Sequence, residues 1–116
     1  MESNSEKIMI NIGDFAKLEI KIGTVVSAEK IPEGDKLLKL VFDIGGNEHR
    51  QVMSGIAEFF PDPSSLIGKQ MPLVLNLEPR KLRGYESQGM ILAADVGGKA
   101  VLLQPETEVL SGSVVK

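Results

Sequence analysis

A small all-β barrel of five strands is the fold class this sequence predicts. Three observations predict it. From Leu18 onward, apolar residues recur at every second position rather than every third or fourth. Clusters of Gly, Pro and Asn cut the chain into short pieces, as hairpins require. One stretch, "SGIAEFFPDPSSLIGK", loses the two-residue period and carries Pro61 and Pro63. It marks a single short helical interruption in an otherwise extended chain.

The elements follow in order. Residues 1–11, "MESNSEKIMIN", read as a loose lead-in, and residues 12–116 as one domain. In "INIGDFAKLEI", Asp14 is an expected N-cap for one short helical turn. Leu18, Ile20 and Ile22 then alternate with Glu19 and Lys21, and the run continues to Pro32 as a long first strand. Gly23 within it predicts a bend or bulge. "PEGDK" is a turn. Leu38, Leu40 and Phe42 alternate with Lys39, Val41 and Asp43 in a second strand, "GGN" closes a hairpin, and "HRQVMSGI" is the third strand. Ser54 is an expected cap for a short helix over 56–60, which Pro61 and Pro63 end. Met71, Leu73, Leu75 and Leu77 share one face of a fourth strand, and "SQGMILAADV" is the fifth. "GGKAVLLQPETEVLSGSVVK" adds a small C-terminal β extension. A long bent first strand and a helix between strands three and four are the signature of an OB-fold, a five-stranded Greek-key barrel. An SH3-type barrel is the alternative, but it usually lacks the inserted helix.

Composition narrows function. The chain has 116 residues, no cysteine and a net charge of −3, from 13 basic and 16 acidic residues. Disulfides and thiol chemistry are excluded. Coating nucleic acid through bulk charge is disfavoured, while a local cationic site is not. The polar N-terminus has no apolar core of a signal peptide, and no apolar run approaches the length of a membrane span. The expectation is a soluble cytoplasmic protein. A single histidine, His49, leaves no metal-ligand cluster and no triad. "GYESQG" has Tyr85 where a nucleophile elbow needs Gly, and neither "DIGGNEHR" nor "DVGGK" has phosphate-loop spacing. The expectation is a non-enzyme without cofactor or metal.

Against the acidic total, "NLEPRKLRGYESQGMILAA" sets Arg80, Lys81 and Arg83 against Glu78 and Glu86, a local charge of +1. It falls between strands four and five, where an OB barrel places a binding loop. Pro79 and Gly84 restrict the loop, so less ordering entropy is lost when its cations engage a ligand. On charge alone, a solvated loop explains the cluster.

Four motifs in order change that weighing: Asp35-Lys36-Leu37-Leu38, Ser54-Gly55-Ile56, Asn76-Leu77-x-Pro79-x-Lys81, and Ser87-x-Gly89-Met90 with Leu92-Ala93-Ala94 behind. Over residues 12–115 the chain resembles the tRNA-binding domain family. That module is found at the C-terminus of methionyl-tRNA synthetases, as their separate beta subunit, and as stand-alone proteins. The resemblance implies an OB-fold that grips tRNA by shape, and a homodimer formed through the C-terminal β extension. It also implies the methionyl-tRNA synthetase catalytic chain as a further partner. Carried over residue by residue, the tRNA contacts are Lys36, Asn76, Arg80, Lys81, Ser87 and Met90. Arg83 is added from its charge and loop position. By residue type alone Met90 reads as core first, and Asn76 as a partner of nearby backbone. Only Tyr85 offers an aromatic ring on the loop, which favours phosphate and ribose contacts over base-by-base stacking. A chaperone or export-assisting branch of the same family is the competing function. The full Asp-Lys-Leu-Leu and Ser-x-Gly-Met segments count against it.

Overall fold

The computed structural model describes residues 8–32 and 34–116, with Gly34 and Asp35 described in backbone only. The expected lead-in is therefore seen only from Ile8, and Glu33 of the expected "PEGDK" turn lies outside the described residues. Among the described residues, nine strands follow a short helix, α1 (Ile12–Ala16). They are β1 (Ile20–Ile31), β2 (Gly34–Asp43), β3 (His49–Ser54), β4 (Gln70–Val74), β5 (Arg80–Leu82), β6 (Tyr85–Ser87), β7 (Met90–Ile91), β8 (Ala93–Val96) and β9 (Lys99–Leu102). The main sheet runs β3-β2-β1-β4-β7, all antiparallel, which is the strand order of an OB-fold. β5–β6 and β8–β9 are separate two-stranded hairpins.

The two-residue period does what it predicts. Leu38, Leu40 and Phe42 are fully buried, and Val25, Val52, Met71, Leu73, Leu75 and Leu66 join them in one core. Full burial of each such side chain contributes about 1.5–3 kcal/mol. Among the described residues, the sheet does not close by a continuous ladder between its edges β3 and β7. Its seam is stitched instead across residues 86–88: the Gln88 N–H donates to the Gln51 carbonyl at 2.7 Å. The Gln51 N–H in turn donates to Gln88 Oε1 at 3.0 Å, and Gln51 Nε2 donates to the Glu86 carbonyl at 2.8 Å.

Several local expectations are corrected. The cap of α1 is Asn11, whose side chain accepts from the Asp14 N–H, while Asp14 reaches back to the Asn11 N–H as the third residue of a capping box. β1 begins at Ile20, and Leu18 is exposed. The register of β1 against β2 shifts between Val25 and Ser27 and again between Lys30 and Ile31, not at Gly23. Gly23 serves close packing: a Cβ there would lie 2.7 Å from Leu73 Cδ1 and 3.0 Å from Phe42 Cδ2. The insertion between β3 and β4 is two 3₁₀ turns, Ala57–Phe59 and Pro63–Leu66, rather than a helix capped by Ser54. Pro61 and Pro63 leave too little uninterrupted chain for α-helical hydrogen bonding. β4 stops at Val74, so Leu77 leaves the buried face and is 43% exposed. The fifth strand is broken in two at Leu92, where β7 ends and β8 turns away into its own hairpin.

The C-terminal segment lies along β1 where β2 has left it. The Ile22 N–H donates to the Ser113 carbonyl at 2.8 Å, Gly112 donates to Ile22 at 2.7 Å, and Val115 donates to Ile20 at 2.9 Å. Gln70 pins it further up, exchanging two hydrogen bonds with the Val109 backbone.

Candidate nucleic-acid interface

The cationic stretch is not an irregular loop but a tight hairpin. Arg80 pairs with Ser87, Lys81 with Glu86 and Leu82 with Tyr85. Only Arg83 and Gly84 remain for the turn, with φ of 54° and 86°. Positive φ at both central residues defines a type I′ turn, whose twist matches that of the flanking strands. Glycine adopts this conformation freely; arginine does so at a cost of roughly 1 kcal/mol. The sequence signal was the Arg-Gly pair between alternating segments, weaker than Asn-Gly because Arg rarely takes this role.

Alternation sorts the hairpin's side chains. Arg80, Leu82, Tyr85 and Ser87 share one face, and Lys81 and Glu86 the other. The first face lies against β3: Ser87 is buried, and its hydroxyl accepts from the Met53 N–H at 3.0 Å and donates to the Gly89 carbonyl at 3.1 Å. Lys39 Nζ sits 5.7 Å from the centroid of the Tyr85 ring and 3.2 Å from Glu29 Oε2. Arg50, half-buried on β3, donates through Nη1 to the carbonyls of Leu75 and Gln88, each at 3.2 Å, and pairs with Glu48 through Nε. These contacts hold the hairpin as a rigid projection from the sheet.

The expected site residues separate into three groups. Arg80, Lys81 and Arg83 are exposed, and among the described residues none is in an ion pair. Arg80 and Met90, the latter 45% exposed, line a cleft of about 70 Å³ together with Met53, Leu77, Glu78 and Leu82. Lys36 is exposed near the start of β2, three residues before Lys39, or about 10 Å along the strand. Ser87, buried and also lining that cleft, and Asn76, exposed, form the third group, with side chains hydrogen-bonded to backbone. Asn76 Nδ2 donates to the Lys17 carbonyl at 2.6 Å, and Oδ1 accepts from the Glu19 N–H at 2.8 Å, clamping the entry of β1. Both side chains also serve the backbone, because buried or strand-end N–H and carbonyl groups need partners and these side chains supply them.

Sequence reasoning missed Lys39, Arg50, Gln51 and Gln88. Lys39, Arg50 and Gln51 lie on strands distant in sequence, which gave no local sign that they meet the hairpin, and Gln88 directly follows it without a sign that it turns back to β3. Among the described residues, no cluster of His, Asp and Glu forms a metal site, and no helix is long and apolar enough to cross a membrane.

The site combines cations that are in no ion pair among the described residues with a small adjoining cleft of mixed apolar and polar lining. Such a surface binds a polyanion that also carries apolar, planar groups. Comparison with known proteins bears on which one. A family model described as "Putative tRNA binding domain" matches residues 20–114. A methionine–tRNA ligase of Archaeoglobus fulgidus is 52% identical over 114 residues, covering 98% of this chain and 17% of that protein. The chain thus spans about one-sixth of the length of the curated relatives it matches. Two solved structures superpose closely. A methionyl-tRNA synthetase related protein from Pyrococcus horikoshii has a TM-score of 0.87 at 40% identity, covering 95% of this chain and all of that one. The chaperone CsaA from Bacillus anthracis has a TM-score of 0.83 at 33% identity, covering 94% and 100%.

Proposed function

This chain belongs to the tRNA-binding domain family, and we propose that it binds the tRNA body through the β5–β6 hairpin as an accessory module of methionyl-tRNA synthesis. The observation that carries the reading is the hairpin itself: three exposed cations, in no ion pair among the described residues, on a tethered hairpin with a type I′ turn in an acidic protein. Arg80, Lys81, Arg83 and Lys36 contact phosphates, and Met90 contacts the ligand from the cleft beside them. Ser87 and Asn76 act at one remove, by fixing the hairpin and the end of β4. The module performs no chemistry. It holds tRNA near a methionyl-tRNA synthetase catalytic domain and so raises the effective concentration of the substrate. Its place of action is the cytoplasm.

We further propose a homodimer formed through the C-terminal extension. Val114, 64% exposed, lines a largely apolar groove of about 400 Å³ with Ile22, Pro72, Leu103 and Val115, and Leu110 on the same segment is 85% exposed. Two such surfaces facing one another would remove this apolar area from water. Light scattering that returns only the monomer mass at micromolar concentration would refute it.

The binding test compares the wild type with Arg80→Ala/Lys81→Ala for tRNA at two salt concentrations. The double variant should weaken binding and lower the salt slope by about 0.7–0.9 for each phosphate that it no longer neutralises. An unchanged affinity would sink the hairpin as the site. The second reading, a chaperone, is favoured by the likeness to the Bacillus anthracis protein and by exposed Ile8, Met9, Ile10 and Ile12. It would gain if the folded protein ignored tRNA but suppressed aggregation of an unfolded client.

A further inference from the structure

Resting on the tRNA reading, we infer that the cleft beneath the β5–β6 hairpin takes the edge of one unpaired nucleobase, with Glu78 accepting from that base. The cations explain phosphate binding but not the cleft's other features. Of its lining residues, Leu77 and Met90 are 43% and 45% exposed, Met53 is buried and Leu82 half-buried. Exposed apolar side chains are ordinary when scattered. Here two flank one concavity at the foot of a cationic arm, where a phosphate backbone would lie. A ligand with anionic charge outside and a flat apolar face inside complements both parts, and an unstacked base on a phosphate chain is that ligand. At about 70 Å³ the cleft admits a flat edge, not a duplex.

Glu78 is the anomaly that sharpens this. It lines the same cleft as Arg80. A carboxylate beside a polyanion opposes binding unless it receives hydrogen bonds. Adenine, cytosine and guanine offer amino groups to it, whereas uracil presents mainly carbonyl oxygens there. The cleft therefore contributes base preference that the phosphate contacts cannot.

The test uses the whole chain with three ligands: tRNA, a blunt RNA duplex, and tRNAs made abasic at single unpaired positions. The variants are Leu77→Ala, which is half-exposed and leaves the core intact, and Glu78→Gln. Leu77→Ala should weaken tRNA binding by about fivefold or more, leave duplex binding unchanged and leave the salt slope unchanged. One abasic position should weaken the wild type by a similar factor and abolish the further effect of Leu77→Ala. Glu78→Gln should raise the relative affinity for uracil at that position, because an amide can donate where a carboxylate cannot. Equal losses on tRNA and duplex, or no loss on tRNA, overturn the inference. If Arg80→Ala/Lys81→Ala still weakens tRNA binding in that case, the proposed function survives and only the base contact falls. A wild type that does not bind tRNA removes both.

Discussion

Two hairpins of this protein close with the same geometry and different residues. β5–β6 turns through Arg83 and Gly84, and β8–β9 through Gly97 and Gly98, with φ of 60° and 87° at the second pair. Both are two-residue type I′ turns. The second hairpin meets the demand for positive φ with two glycines and stabilises its turn locally, with the Gly98 N–H donating to Asp95 Oδ1 at 2.9 Å. The first puts an arginine where glycine costs less and ties its strands to a distant strand through Ser87 and Gln51. Backbone strain that is held by surrounding structure points to a use for the side chain that causes it. In β5–β6, that use is a cation at the tip of a rigid arm.

Charge reversal should break the comparison most sharply. Arg83→Glu changes the tip by two charges and should weaken tRNA binding by on the order of a hundredfold at low salt, with a lower salt slope. Lys99→Glu, beside the other turn, should leave both nearly unchanged. A titration of both variants at two ionic strengths decides, and equal effects would mean that bulk charge rather than the hairpin controls binding.

The tethers come next. Ser87→Ala leaves the buried Met53 N–H without its acceptor and should lower stability by about 1–3 kcal/mol. Asp95→Ala removes an exposed turn contact and should cost about 0.5–1 kcal/mol. Urea midpoints compare the two directly, and Ser87→Ala should also weaken tRNA binding by loosening the arm. A Ser87→Ala midpoint equal to wild type would mean that the seam is not under load.

The turns differ by smaller amounts. Gly98→Ala forces a side chain into positive φ and should destabilise by roughly 1 kcal/mol. Arg83→Gly runs the opposite way: it relieves strain but adds freedom to the unfolded chain, for a net gain of roughly 0.5 kcal/mol. It should nevertheless bind tRNA several-fold more weakly. A thermal melt and a binding curve on that one variant test whether stability and function trade at Arg83. Loss of both would show that Arg83 also supports the fold.

Much of this was legible along the chain. Alternation at Leu38, Leu40 and Phe42 named the core face of β2, and the Gly-rich pairs named the turns. Three cations on an acidic chain located the surface to inspect. The bulge was misplaced because a strand glycine serves either a bend or a close contact. At Gly23 the contact with Leu73 and Phe42 decided.

What the sequence determined by itself were properties with a local cause. Period-two burial made strands, positive-φ residues made turns, and two prolines held the insertion between β3 and β4 to short 3₁₀ turns. The tertiary structure decided which polar side chains serve the backbone. Ser87 reaches Met53 across 34 residues, and Asn76 reaches Glu19 and Lys17 across 57 and 59. A serine or asparagine at a strand end has the same local signature whether its hydrogen bonds point outward or inward. Only the folded chain brings the orphaned N–H and carbonyl groups within reach, and their need for partners then fixes the direction.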